Sequence, residues 1–277
     1  MDFGNRKDAT LAKTEITFTK CEALRNDFCV VEPKRGFSWT PSRVQGICDR
    51  RSGIGADGLI VLNRRQGAFG FSLFNSDGTR AEWSGNGIRC AAAYVARKMR
   101  RKTAVFHTAA GAIETSMSAS NRGVSVAFQR PLPLVEPVRT TDRLPSTTGG
   151  RGPIAVDAGN PHWVFIVKNF DFDWEQVGRD SQSAMRRTHG VNVEFVRIHT
   201  RKRIELRLYE RGVGPTPSSG SGALAALAAC LDEGLIADAV QIGSPGGAQS
   251  LTYHPRDGDV RLIARARVVH SGTWYIR

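Results

Sequence analysis

Two stretches of this chain carry the same order of apolar and polar positions, half a chain length apart. Residues 69–74 (FGFSLF) alternate as a strand with one buried face does, and Asn75, Ser76, Asp77 and Gly78 then supply a turn. A Ser-Gly-Asn-Gly turn at 84–87 follows and opens into IRCAAAYVARKM, where apolar positions are too dense for a helix with one solvated face. Residues 204–208 alternate again, Tyr209 to Gly212 lead into a loop with Gly214, Pro215 and Pro217, and Ser-Gly-Ser-Gly at 219–222 opens into ALAALAACLDEGL. Each half therefore predicts strand, loop, glycine turn and buried helix in that order. Further short strands are expected at 16–19, 58–62, 123–128, 154–157 and 163–167. PLPLVEP (131–137) and PSTTGG (145–150) mark the region between the halves. Many short strands around helices that are apolar on all sides predict an α+β fold in which sheet wraps each helix.

Composition narrows the function classes. With 277 residues, 40% hydrophobic and 23% charged, the chain can bury a large core as one big domain or two similar halves. No apolar run approaches the roughly 20 residues needed to cross a bilayer. Residues 1–14 read as a polar extension without a secretory pattern, so a cytoplasmic protein with no membrane partner is expected. Cys21, Cys29, Cys48, Cys90 and Cys230 form no zinc spacing and no disulfide framework, and are expected to pack as small apolar residues. A formal charge of +13 raises the question of nucleic acid. The densest basic run, Arg97 to Lys102, follows the first apolar helix and reads as a solvated helix end whose cations complement the dipole. No nucleic-acid module accompanies it, so no nucleic-acid partner is expected.

The chemistry points to the glycine turns. A helix N-terminus leaves backbone N–H groups without partners and adds positive potential, and glycine lets a ligand approach closely. No GxxxxGK[ST] pattern is present, which favours carboxylate over phosphate as the anion. The one GxGxxG string, Gly53 to Gly58, runs into strand-like LIVL instead of opening a helix, so a dinucleotide site is not expected there. Two anion seats in two pseudo-symmetric lobes would place one side chain on each face of a small molecule. A racemase or epimerase needs that geometry, with one group removing a proton from the α-carbon and another delivering one to the opposite face.

The two turns, SGNGIRC (84–90) and SSGSGA (218–223), resemble those of the diaminopimelate epimerase family, which read like CGNGxRC and ACGSGA. FTKCEALRNDF (18–28), GIGADGLIVL (53–62), FNSDGTRAEW (74–83), GNPHWV (159–164), GVNVEF (190–195) and YERGVGPT (209–216) are similar to further family segments in the same order. The resemblance implies two pseudo-symmetric lobes, each a mostly antiparallel sheet or barrel around a central apolar helix. It divides the chain into an N-terminal lobe at 15–130, completed by a C-terminal strand at about 266–277, and a C-terminal lobe at 131–265. It also implies conversion of LL- to meso-diaminopimelate in the lysine and peptidoglycan precursor pathway, with no metal and no organic cofactor. The partner is then a small amino acid with carboxylates; relatives often dimerise, so a homodimer stays open. Asn26, Asn75, Asn160 and Asn192 match the family's substrate-binding asparagines, and Glu210 and Arg211 match its acid and base at the ligand's ends. Gly85, Asn86, Gly220 and Ser221 match the carboxylate-binding turns, and His162 a histidine beside the catalytic cleft.

Ser84 and Ser219 stand where the family carries its two catalytic cysteines. A thiol starts near pKa 8.5, and a helix N-terminus can bring it into the physiological range. A serine hydroxyl lies several units higher, and a dipole contribution of about 0.3–1 kcal/mol does not close that gap. Three readings follow. The thiols were replaced on an intact cleft; other groups transfer the proton, with His162, Glu210, Asp77 and Cys90 as candidates; or the cleft binds its ligand without stereochemistry. Cys90, nearly two turns into the helix, reads as core. Arg25 beside Asn26, Pro215 after the ERGxG glycine and Trp83 before the first serine point to a changed substrate within the amino-acid class.

Overall fold

A computed structural model describes residues 14–81, 83–109, 111–117, 124–128, 138–139, 150–184 and 190–276. Outside them lie the expected polar extension except Thr14, the segment 131–137 and, apart from Gly150, the segment 145–150. In the first half β1 (Thr14–Ala23) and β2 (Asn26–Val31) form a hairpin, α1 (Pro41–Cys48) follows, and β3 (Gly58–Arg64) lies parallel to β2. Next, β4 (Phe69–Asn75) pairs antiparallel with β3 and with the short β5 (Arg80–Ala81). The helix α2 (Gly85–Met99) then crosses to β6 (Thr103–Thr108), parallel to β4, and β7 (Gly111–Met117) and β8 (Val124–Phe128) continue antiparallel.

After β9 (Val138–Arg139) the second half repeats these pairings in sequence. Its elements are β10 (Arg151–Asp157), β11 (Pro161–Val167), α3 (Trp174–Ala184), β12 (Asn192–Thr200), β13 (Arg203–Glu210) and β14 (Gly214–Thr216). They are followed by α4 (Gly220–Asp232), β15 (Ala239–Ser244), β16 (Gly247–His254) and β17 (Asp259–Ala264). As in the first half, the parallel steps are β11–β12 and β13–β15, and the other pairings are antiparallel. The halves join edge to edge through antiparallel β8 and β17, and β18 (Arg267–Ile276) returns to pair with β1.

Why sheet wraps helix follows from the helices. Residues from Gly85 to Val95 of α2 are all buried, as are those of α4 from Gly220 to Cys230 except Ser221. Such a helix has no face to give to water and needs apolar partners all round. α2 finds them in β1, β2, β3, β6, β7, β8 and β18, and both helices sit in one core cluster with strands of both halves. The two-lobed α+β fold expected from the sequence is the one observed. Cys90 is fully buried in that core, where burial pushes its thiol well above the ordinary range; it is not a displaced base. All five cysteines are free and buried. The basic run is a helix end, as expected: α2 stops at Arg100 in the left-handed region, and Lys98 lies 3.5 Å from the Glu32 carboxylate.

Strand limits are broader than the alternation suggests. β1 extends from Thr14 to Ala23 because both its edges are occupied, by β2 and β18, so hydrogen bonding continues past the apolar core of the run. Among the described residues no helix is long and apolar enough to cross a membrane.

Behind β11–β13 a third cluster fixes α3. Phe165 and Phe195 stack with centroids 5.3 Å apart, and Phe172 and Trp174 meet Phe195 edge-on. Phe195→Ala is expected to cost about 3–5 kcal/mol, measured by urea denaturation. A loss under about 1 kcal/mol would show that the cluster relaxes around the void.

Candidate functional site

Both glycine turns begin with a capping serine. Ser84 and Ser219 hold extended backbone, and each hydroxyl oxygen accepts a hydrogen bond 3.1 Å long, from the N–H of Gly87 and Gly222 respectively. Serine is a preferred residue at this position, so the caps themselves need no thiol. The turns meet backbone to backbone. A Cβ added to Gly85 would lie 3.2 Å from Gly220 Cα, and one added to Gly220 would lie 3.0 Å from Gly85 Cα. Two helix N-termini, each with unpaired N–H groups and positive potential, therefore point into one junction.

On the first-lobe side a hydrogen-bonded chain fixes the turn. Arg89 Nη2 donates to Asn86 Oδ1, and Asn86 Nδ2 donates to Asn26 Oδ1 at 3.2 Å and to Ser218 Oγ at 3.1 Å. Asn26 Nδ2 donates to Asp57 at 2.7 Å, and Arg50 clamps Asp57 and Asp27 together at 2.6 and 2.8 Å. Burial alone would raise Asp27, but hydrogen bonds from Arg50 and Lys20 prevail and hold its carboxyl at about 2. Asn26 begins β2 right after a hairpin turn whose two residues, Leu24 and Arg25, have φ of 53° and 67°. Such turns favour Asn and Gly; here Ser218 Oγ donates to Leu24 O at 2.9 Å and ties the strained turn to the second lobe.

On the second-lobe side the acids and His162 gather. β11 places His162 Nδ1 2.8 Å from Glu194 Oε1 and Nε2 2.8 Å from Asn160 Oδ1. His162 and Asn192 are register partners in parallel β11 and β12, and Asn192 Oδ1 accepts from the Arg211 N–H at 2.9 Å. Glu210, which ends β13, has its carboxyl beside Ser219. Glu194 also lies under α4, since a Cβ on Gly222 would come 2.7 Å from its Oε1. The Gly159–Asn160 turn approaches Trp83: a Cβ on Gly159 would be 3.5 Å from the indole nitrogen, next to Ser84 in the chain.

The structure thus brings Asn26, Asn86, Gly85, Gly220, Ser219 and Glu210 to one junction, with Asn160, His162 and Asn192 behind it. Asn75 stands apart at the end of β4, exposed, with its amide on Thr79 Oγ1 at 2.9 Å. Ser221 is half-buried, 3.4 Å from the Ser219 hydroxyl, and Arg211 is exposed. Asp77 is exposed and bound to Thr79, which removes it from the candidate bases. Arg25 is also exposed, its N–H bound to Glu22. Asn86 uses its side-chain amide within the protein. Among the buried polar residues that escaped notice in the sequence are Arg89, Glu194 and Ser218. Arg89 and Glu194 had a signal, being single charges inside otherwise apolar segments. No group of three metal-ligating side chains occurs among the described residues.

Duplicated lobes with opposed glycine turns define a fold shared with solved racemases, epimerases and isomerases. A hydroxyproline epimerase from Agrobacterium vitis with bound trans-4-hydroxy-L-proline superposes with a TM-score of 0.67 at 12% identity, covering 95% of this chain and 93% of its own. A phenazine biosynthesis protein of the PhzF family from Bacillus anthracis gives 0.70 at 12% identity, covering 95% and 100%. Within that class the chain belongs to the diaminopimelate epimerase family, whose pattern matches residues 18–131 and 154–266. It is 31% identical to the diaminopimelate epimerase of Teredinibacter turnerae, over 93% of this chain and 98% of the relative. It is 34% identical to that of a Synechococcus strain, over the same shares. The resemblance read from the motifs therefore holds, and the chain is of an isomerase family.

Burial raises the Glu210 carboxyl above its usual range; the Ser219 hydrogen bond opposes this and the Glu194 charge adds to it. The stability it contributes is complete below the unfolded carboxyl value of about 4.3 and is lost as pH rises through the higher folded value. Glu210→Gln removes that loss. The variant should gain stability relative to the parent as pH goes from about 4 to 7, followed by urea unfolding. A pH-independent difference would show that the fold does not disfavour the charge.

Proposed function

We propose that this protein is a cofactor-independent amino-acid epimerase that takes an α-amino acid with a second carboxylate, diaminopimelate by name, between Gly85 and Gly220. The observation that carries this is the abutment of two serine-capped helix N-termini at Gly85 and Gly220, with the Glu210 carboxyl beside one of the caps. The turns' N–H groups seat the α-carboxylate, which places Ser84 and Ser219 on opposite faces of the α-carbon. Arg211 and the asparagines Asn26, Asn75, Asn160 and Asn192 hold the rest of the ligand, Asn75 from one strand away.

Serine does not act as the free base. Ser219 Oγ accepts from the Gly222 N–H, and the Glu210 carboxyl beside it, raised by desolvation, is a better proton acceptor near neutrality. Glu210 takes the α-proton by way of the Ser219 hydroxyl. On the other face the Ser84 hydroxyl delivers the proton to the α-carbon and takes a replacement from His162, which is bonded to Asn160 of the turn beside Trp83. Lobe closure excludes water from this exchange. A second reading, binding without turnover, draws on the capping geometry, since both hydroxyls already serve their helices.

Incubation with LL-diaminopimelate in D₂O separates these readings. Exchange of the α-proton is expected in the parent and falls by about 10²–10⁴-fold in Glu210→Gln. Exchange only in a Ser84→Cys/Ser219→Cys double variant would mean an intact cleft that has lost its thiols. Binding with no exchange in either would sink the epimerase reading for this substrate.

A further inference from the structure

We infer that Arg89 is the fixed counter-charge for a carboxylate lodged between the two glycine turns, and that it also sets the Asn86 amide framing that seat. This rests on the reading that an anion occupies the junction. Arg89 is fully buried on α2, little more than one turn from the Ser84 cap. A guanidinium has five N–H donors and no acceptor. Only Nη2 has a partner, Asn86 Oδ1, while Nε and Nη1 have none. No carboxylate of the described residues pairs with it. Burial lowers its pKa only to about 10, so it stays a cation at neutral pH.

Unpartnered donors of this kind are rare inside proteins, and an uncompensated buried charge is rarer still. The direction of the side chain supplies the explanation. A Cβ on Gly85 would lie 3.8 Å from Arg89 Nη1 and 3.2 Å from Gly220 Cα, so the free nitrogen backs the point where the turns touch. Three sources of positive potential converge there, two helix N-termini and a guanidinium, and no carboxylate of the described residues pairs with the guanidinium. A carboxylate arriving at the turns neutralises all three. When its α-carbon loses a proton, the added negative charge on that carboxylate meets the same fixed field, which costs no reorganisation.

The bond to Asn86 has a second effect. An arginine only donates, so Asn86 Oδ1 must face it and Nδ2 must face Asn26 and Ser218. The amide orientation that links the lobes is therefore set by Arg89. Arg89 is a positioning residue, since it acts behind the turn backbone.

Melting temperatures of the parent, Arg89→Gln and Arg89→Lys test this with sodium formate and with LL-diaminopimelate, against sodium chloride at matched ionic strength. Glutamine keeps a donor for Asn86 and removes the charge; lysine keeps the charge. Formate should stabilise the parent, Arg89→Gln should need at least about tenfold more formate for the same shift, and Arg89→Lys should recover most of it. Without added anion Arg89→Gln should melt no lower than the parent. An equal formate response in the parent and Arg89→Gln overturns the inference. So does equal loss in both variants, an Arg89→Gln protein that melts lower without anion or does not fold, or a parent that ignores formate. A parent that responds to formate but not to LL-diaminopimelate upholds the role of Arg89 and removes the substrate proposed above.

Discussion

Two helix N-termini pressed together at Gly85 and Gly220 set the terms for the rest of this molecule. Neither residue tolerates a side chain, because each would drive a Cβ to within 3.2 Å of the other's backbone. Like dipole ends repel, so the contact has to be imposed from outside. The wrapped sheets impose it: each helix is enclosed by strands of its own half, and β8–β17 pairing locks the halves into one sheet. The duplication is then more than an inherited repeat. Two similar lobes joined this way bring the same end of the same element to one point from opposite sides.

Directly behind the two helix starts the buried charges differ. Behind α2 stands a buried cation, Arg89; behind α4 stand two carboxylates, Glu194 and Glu210, with His162 between neighbours. A seat with only positive poles would hold a carboxylate but offer nothing to take a proton. In the proposed reading, Glu210 on the α4 side lets the same small volume bind an anion and accept a proton from the adjacent carbon. Leaving a buried charge without its partner costs about 3–5 kcal/mol, so such an arrangement persists where a ligand supplies what the chain omits.

How much of this the sequence discloses depends on whether a residue's role is local. Helices apolar on all sides, glycines at their starts and alternating strands such as 69–74 and 204–208 are local patterns, and they led to the two-lobed fold and to both turns. The parallel β2–β3 and β11–β12 steps left no such trace, since a strand paired on both edges looks alike in either direction. In the sequence Arg25 stood out only as a cation beside Asn26; the left-handed conformation of Leu24 and Arg25 is tied to Ser218, far away in the chain. Asn86 was found by its motif, but its amide faces inward because of Arg89, one helical turn on. Asp77 and Asn75 show the opposite case, residues in a matching motif whose side chains turn to Thr79.

The serines are legible in the same terms. What a cap requires is a short side chain with an acceptor, and Ser84 and Ser219 meet that through Gly87 and Gly222. Geometry at the junction is therefore indifferent to exchanging sulfur for oxygen, whereas proton affinity is not. The fold can keep the turns, the glycine contact and the asparagine chain while the basic group moves one residue outward. Beside Ser219 such a group is already in place, the half-buried Glu210 carboxyl, which desolvation raises above its usual range. At Ser84 the neighbouring approach is the Gly159–Asn160 turn with His162 behind it. The two faces are thus unequal: a carboxyl stands beside Ser219, whereas at Ser84 the Gly159–Asn160 turn intervenes before His162.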